Sequence, residues 1–194
     1  MNKDSIDSKS KILKAAKKLF SQNGFDGTST REIVKEAGVN ISLISYYFGS
    51  KENVFFSLFD NFNVETNTID DKGNNINTIS KFSSIITQII KLRFEDPELV
   101  TILQQEIIMN SKRTEKFRQV LLPTWIRVKT LLSNGRKEGL FQFKDIDNAI
   151  SFVMAVAIFP RQNPLFIEFV KKKENKNEII EEILLFILKG LGFK

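Results

Sequence analysis

Ser42, Ser45 and Tyr46 stand on one face of a short segment whose other face carries Ile44 and Phe48 at i, i+4, and Asn40 is placed to cap it as a helix. The outward face offers hydroxyls and an aromatic ring and no acidic side chain. Hydroxyls bond to base edges or phosphates, and a helix entering a major groove must not oppose carboxylates to the DNA backbone. The chemistry on offer is recognition of a nucleic acid, without bond-making.

Composition closes off most other chemistry. The 194 residues include no His and no Cys. Ser-His and Cys-His nucleophile pairs, and nitrogen or sulfur metal sites, therefore cannot be assembled. Carboxylates and lysines are the remaining catalytic groups. Glu106 beside Gln104 and Gln105 is expected on a helix and Asp70-Asp71 in a polar loop, so neither makes a convergent acid site. No catalytic residue, metal or cofactor is expected. The lack of Cys also means neither a disulfide framework nor a thiol switch, which suits a reducing cytoplasm.

The displaying helix needs elements to hold it. Ser29 and Glu32 form a capping box that opens a preceding helix, in which Ile33, Val34 and Ala37 share the inward face and Gly38 supplies the left-handed residue that ends it. Two amphipathic helices joined by a glycine turn can make a helix-turn-helix, although two packed surface helices have the same pattern. Upstream, Ile12, Leu13, Ala16, Leu19 and Phe20 add a third apolar stripe, enough for a three-helix unit with its own core. Downstream, Ser50-Lys51-Glu52 opens a fourth helix with a cation in its first turn, where the helix dipole disfavours one. An external phosphate would explain Lys51, and a plain solvated lysine is the alternative.

Residues 9 to 59 resemble the DNA-binding domain of the TetR family of bacterial transcription regulators. The resemblance rests on Leu19-Phe20, Asn23-Gly24-Phe25, Thr30-Arg31-Glu32-Ile33, Ala37-Gly38-Val39, Leu43, Tyr46-Tyr47-Phe48 and Ser50-Lys51-Glu52, about a quarter of the chain. It implies a homodimer that binds double-stranded DNA at an operator of two-fold related half-sites, usually as a repressor, and releases it when a small molecule enters the C-terminal domain. By position, Thr30, Arg31, Tyr47 and Lys51 would hold phosphates, while Asn40, Ile41, Ser42, Ser45 and Tyr46 would face the bases. Ser45 departs from the aromatic that many members carry there, so an operator borrowed from a relative does not transfer.

Charge follows the same division. The chain carries a net +6, and residues 1 to 51 hold nine Lys/Arg against five Asp/Glu, a net +4. The basic balance sits with the DNA reader. Lys9, Lys11, Lys14, Lys17 and Lys18 are spread along the first helix, where contact with phosphate and simple solvation are equally open. The N-terminus is polar, and the longest apolar stretch, Phe152 to Phe159, is far short of the roughly 20 residues a membrane helix needs. A cytoplasmic protein with no membrane partner is expected.

The expected organisation is all-α, with a three-helix DNA-binding domain over residues 1–50 and a larger helical ligand-binding and dimerisation domain over 51–194. Hydrophobic residues, 42% of the chain, suffice for both cores. Val54, Phe55, Leu58, Phe59 and Phe62 keep one stripe on a fourth helix running from 51 to 62, which would couple body to reader without a flexible linker. Residues 63–77 read as a loop. Further helices are expected from Ile79 to Ile90, from Pro97 to about Asn110, from Glu115 to Glu138 with a break or kink at Pro123, from Ile146 to Phe159, and from Glu178 to Lys189. Residues 160–176 are less readable.

The last two helices are apolar on more than one side, which a single core cannot cover. They are therefore candidates for a four-helix dimer interface through Val153, Val156, Ile180, Leu184, Leu185 and Ile187, or else both are buried within one monomer. Phe82, Ile86, Arg93, Gln104, Met109, Trp125 and Phe152 lie on helices that would surround a pocket in the family's fold, and a small apolar or amphipathic effector would suit them. Each of these is also an ordinary core candidate. The sequence thus points to a ligand-responsive DNA-binding repressor; a ligand- or partner-capturing protein of the same fold without sequence-specific DNA binding is the competing class.

Overall fold

A computed structural model describes residues 3–60, 77–109, 111–159, 168 and 175–194, with side chains from residue 7 onward. Among these residues the secondary structure is wholly helical: α1 (Lys3–Asn23), α2 (Thr30–Ala37), α3 (Ser42–Tyr47), α4 (Lys51–Ser57), α5 (Thr78–Glu95), α6 (Pro97–Met109), α7 (Thr114–Lys137), α8 (Ile146–Ile158) and α9 (Lys176–Gly190). They fall into two compact units, one of Met1–Asn63 with Pro97–Val120, the other of Val64–Asp96 with Leu121–Lys194. α6 and the start of α7 thus belong to the same compact unit as α1 to α4.

In the first unit Ile12, Ala16 and Phe20 of α1 meet Ile33 of α2, Ile44 of α3, and Val54 and Phe55 of α4, all buried. Phe20 and Phe55 are edge-to-face at 5.4 Å between centroids, and Phe59 continues the stack to Phe117 at 5.2 Å. Each such phenylalanine contributes about 1.5 to 3 kcal/mol by burial. Leu99, Val100, Ile102 and Leu103 of α6 are buried in this unit as well, and α6 packs on α1.

The second unit is built around α5. Phe82, Ile85, Ile86, Ile89 and Ile90 face Val128 and Leu132 of α7, Ala149 and Val153 of α8, and Ile180 and Ile187 of α9. Gly135 lets the Phe141 ring lie against α7, since a Cβ there would come within 2.4 Å of the ring.

Two expectations change. The fourth helix ends at Ser57 rather than 62: the Leu58 and Phe59 amides bond to Phe55 and Phe56, closing tighter turns that keep Phe59 buried. α7 continues through Pro123 without a break, the ring standing on an exposed side. Phe62, Asp70 and Asp71, with most of residues 63–77 and 160–176, lie outside the described residues.

Candidate nucleic-acid interface

The expected capping box is formed. The Ser29 backbone N–H donates to Glu32 Oε2 at 2.7 Å and the Glu32 N–H donates to Ser29 Oγ at 3.2 Å. The Ser29 backbone N–H foremost, and the Ser29 hydroxyl donating to the same Oε2 at 2.7 Å, hold the Glu32 carboxyl below its ordinary value. Gly38, at φ 65°, ends α2, and the Val39 amide bonds back to the Val34 carbonyl. Asn40 then accepts from both the amide and the hydroxyl of Ser42, at 2.9 Å each. It organises the turn into α3, one residue before the Ile41 that occupies the N-cap position without a side-chain bond, and it commits the Ser42 hydroxyl proton, leaving that oxygen as an acceptor.

Ile44 and Phe48 are buried, which fixes the rotation of α3 and turns Ile41, Ser42, Ser45 and Tyr46 outward. Tyr46 is 78% exposed. Its ring meets Tyr47 edge-on at 4.9 Å, and Tyr47, half-buried, lies edge-on to Phe48 at 6.4 Å. Thr30 and Arg31 stand at the start of α2, half-buried and exposed respectively. All five expected base-facing residues are at the surface, and the structure brings them together on the entry turn and outer side of α3.

Lys51 is placed differently from the sequence argument. Its ammonium donates to the carbonyls of Phe25 and Thr28 at 2.8 Å each and sits 4.1 Å from the centre of the Phe25 ring. Internal carbonyl oxygens thus supply the negative partner that the position at a helix N-terminus led us to seek outside the chain. Burial pushes the Lys51 ammonium below its ordinary pKa. Along α1, Lys11 pairs with Asp7, Lys18 with Glu36, and Lys9 lies 5.6 Å from the Phe48 ring, so these lysines already have partners within the chain.

Residues that local sequence patterns do not expose complete this side of the unit. Arg113, buried, makes a two-pronged ion pair with the equally buried Glu106, Nη2 to Oε1 at 2.8 Å and Nε to Oε2 at 3.2 Å. Its guanidinium carbon lies 3.9 Å from the centre of the Phe25 ring. Burial opposes its charge and Glu106 more than restores it, so its pKa rises. Glu106 is thereby committed to an ion pair.

The expected effector residues are distributed over both units. Gln104 and Met109 belong to the first unit and the other five to the second. Phe82 and Ile86 are fully buried core, Trp125 is half-buried against that core, and Arg93 donates to the carbonyls of Val156 and Ala157 at the end of α8. A hollow of about 510 Å³ in the second unit is lined by Phe143, Asn148, Phe152, Val156, Phe186 and Leu191 among others, and of the seven only Phe152 reaches it. Of the expected interface residues, Val153, Ile180 and Ile187 are buried in their own core, Val156 and Leu184 are half-buried against it, and Leu185 faces outward. Phe152 (68% exposed), Phe159 and Phe186 (67% exposed) join Leu185 on the outer sides of α8 and α9.

Residues 12–58 match the profile described as "Bacterial regulatory proteins, tetR family". A crystal structure of a HlyIIR mutant, in which an internal segment is replaced by a linker with two thrombin sites, is 31% identical, covers 92% of this chain and 95% of its own, and superposes with a TM-score of 0.74. The chain belongs to the TetR family. HlyIIR itself, "a Hemolysin II transcriptional Regulator", is 29% identical over 98% of this chain and 99% of its own, with a TM-score of 0.70. The probable HTH-type transcriptional regulator YttP of Bacillus subtilis (strain 168) is 26% identical over 85% of this chain and 82% of its own. This TetR-family chain is therefore a transcriptional regulator with a helix-turn-helix DNA-binding domain, in a family that is not enzymatic. No helix among its described residues is long and apolar enough to cross a membrane.

Proposed function

We propose that this TetR-family regulator is a homodimeric repressor that binds an inverted-repeat operator and is released by a small, largely apolar effector. The observation that carries the reading is the outward set of Ser42, Ser45 and Tyr46 on a helix whose rotation is fixed by buried Ile44 and Phe48. Such a helix offers hydroxyl donors and acceptors to base edges in a major groove. Asn40 and Ile41 at its entry would share that work. Thr30, Arg31 and Tyr47 would hold phosphates on either side, and Lys51, with two of its three donors committed internally, would have one for a phosphate.

Dimerisation is supported by the outer sides of α8 and α9, where Phe152, Phe159, Leu185 and Phe186 are exposed together in one unit. The 510 Å³ hollow beside Phe152 and Phe186 fits side chains of a second copy. For the effector the support is chemical: Phe, Ile, Leu, Val and Ala side chains form a large buried cluster in the second unit, with Trp125 and Ile158 partly buried at its margin. Such an environment suits an apolar or amphipathic molecule and disfavours a strongly charged one. The place of work is the cytoplasm.

Selection from random duplex DNA tests the reading, repeated with a library of apolar metabolites. An inverted repeat should emerge, and some library member should release it. Failure of the purified protein to enrich any sequence would favour ligand or partner capture without DNA reading.

A further inference from the structure

The turn from α1 to α2, residues 24–29, carries the N-terminus of α2 and hence Thr30 and Arg31. Three side chains hold it. The Thr28 hydroxyl bonds to the Gly24 carbonyl at 2.8 Å and Lys51 bonds to the carbonyls of Phe25 and Thr28. The third is Arg113, from the short turn between α6 and α7, which stacks on Phe25 at 3.9 Å and reaches Asp26 Oδ1 at 3.5 Å. Arg113 is itself rigidly placed: Glu106 of α6 grips it with both carboxylate oxygens, and the Ser111 hydroxyl donates to Glu106 Oε2 at 2.8 Å while accepting from the Arg113 backbone amide at 3.2 Å. Next to Glu106, Gln105 donates to the Ser21 carbonyl in the last turn of α1 at 3.0 Å. α6 thus holds the chain on both sides of Gly24.

A buried ion pair is a poor stabiliser compared with apolar side chains of the same size, because desolvating two charges offsets most of their attraction. Its distinctive property is directional geometry. Here that geometry is applied to a ring and a carboxylate at the entrance to α2.

We infer that Arg113 is a positioning residue for DNA recognition: held by Glu106, it fixes Phe25 and Asp26, sets where the N-terminus of α2 meets the DNA backbone, and passes any displacement of α6 to the reader through the α1–α2 turn. The inference rests on the DNA-binding reading of α2 and α3. Arg113 acts without touching DNA.

The test uses the full chain with Arg113→Gln and Glu106→Gln combined, so that two amides replace the ion pair and no charge is left stranded. In the DNA-free protein, amide exchange over residues 24–31 should rise about tenfold while residues 12–20 keep their protection. Affinity for a duplex selected by the wild type from random DNA should fall about 2- to 30-fold. If Arg113 works through α2, the loss should shrink to less than about twofold when both proteins also carry Arg31→Ala, since the contact it positions is then gone. Single Arg113→Lys keeps the charge without the fork and should bind DNA no better than the double variant. Unchanged exchange over 24–31, a rise spread evenly through every peptide, an undiminished loss in the Arg31→Ala background, or full rescue by Arg113→Lys would each overturn the inference. A wild type that selects no sequence refutes the DNA-binding reading and the DNA role of Arg113 with it, while the exchange result still decides whether Arg113 orders the turn.

Discussion

Tyr46 is the largest group on the outer side of α3, flanked by serines that reach only a short way. Removing it as Tyr46→Ala should cost about 1 to 3 kcal/mol on the selected operator and relax the preferred sequence, whereas Arg31→Ala should weaken all duplexes alike and lower the salt slope by about one ion. Binding isotherms on selected and scrambled duplexes at several salt concentrations separate the two, and an unchanged sequence preference in Tyr46→Ala would sink the assignment of α3. Glu32 gives a pH prediction. Its pKa is lowered in the folded chain, so its contribution is complete above its ordinary value of 4.5 and fades as pH falls through the lower folded value. Glu32→Gln retains the box without the titrating proton; melting curves should show the wild type losing ground to it only below about pH 4.5. The sequence reveals Ser29 and Glu32 because their bonds close within one helical turn. It misleads at Lys51 because the carbonyls that receive its ammonium lie 23 and 26 residues earlier, a separation no local pattern encodes.

Helical periodicity places α5 to α9 within a few residues, since each buries an apolar stripe that recurs at i, i+3 and i+4. Periodicity gives the angle between residues on a helix, and not which angle faces a neighbour. On α9 both Leu184 and Leu185 read as interface candidates, and the structure separates them: Leu184 packs on its own core and Leu185 is 52% exposed. Leu185→Asp should therefore yield a folded monomer at micromolar concentration with much weaker operator binding, because each half-site then binds alone. Sedimentation with circular dichroism checks it, and a dimer that persists would move the interface elsewhere. A second test addresses packing within α7. Gly135→Ala, ordinarily favourable in a helix, should here cost about 1 to 3 kcal/mol because the new methyl group meets the Phe141 ring. Denaturant midpoints would show the opposite sign if the ring were free to move aside.

A two-fold dimer should place its two copies of α3 about 34 Å apart or a multiple of that, so that the selected operator reads as an inverted repeat with its centres one or more helical turns apart. An effector can weaken this binding only as far as it prefers another geometry, and the coupling is reciprocal: operator DNA should weaken effector binding by the same factor, typically about 5- to 150-fold. Titrating effector in the presence and absence of operator, with Trp125 emission as signal, measures both sides of the cycle. At this scale the sequence is legible in fold class and illegible in partition. The reader's motif spans residues that are contiguous, so residue 50 looks like a boundary, yet its compact unit also takes in Pro97–Val120, which carry no local mark of belonging there. That membership bears on inheritance. A hybrid regulator spliced near residue 60 would receive its first four helices from one parent and its Glu106 and Arg113 from the other, so Phe25 and Asp26 would meet a guanidinium they had not diverged with. Lineages of such proteins should exchange readers intact only when the α6–α7 turn travels too, and a splice that carries 97–120 along with 1–60 should outperform one that does not.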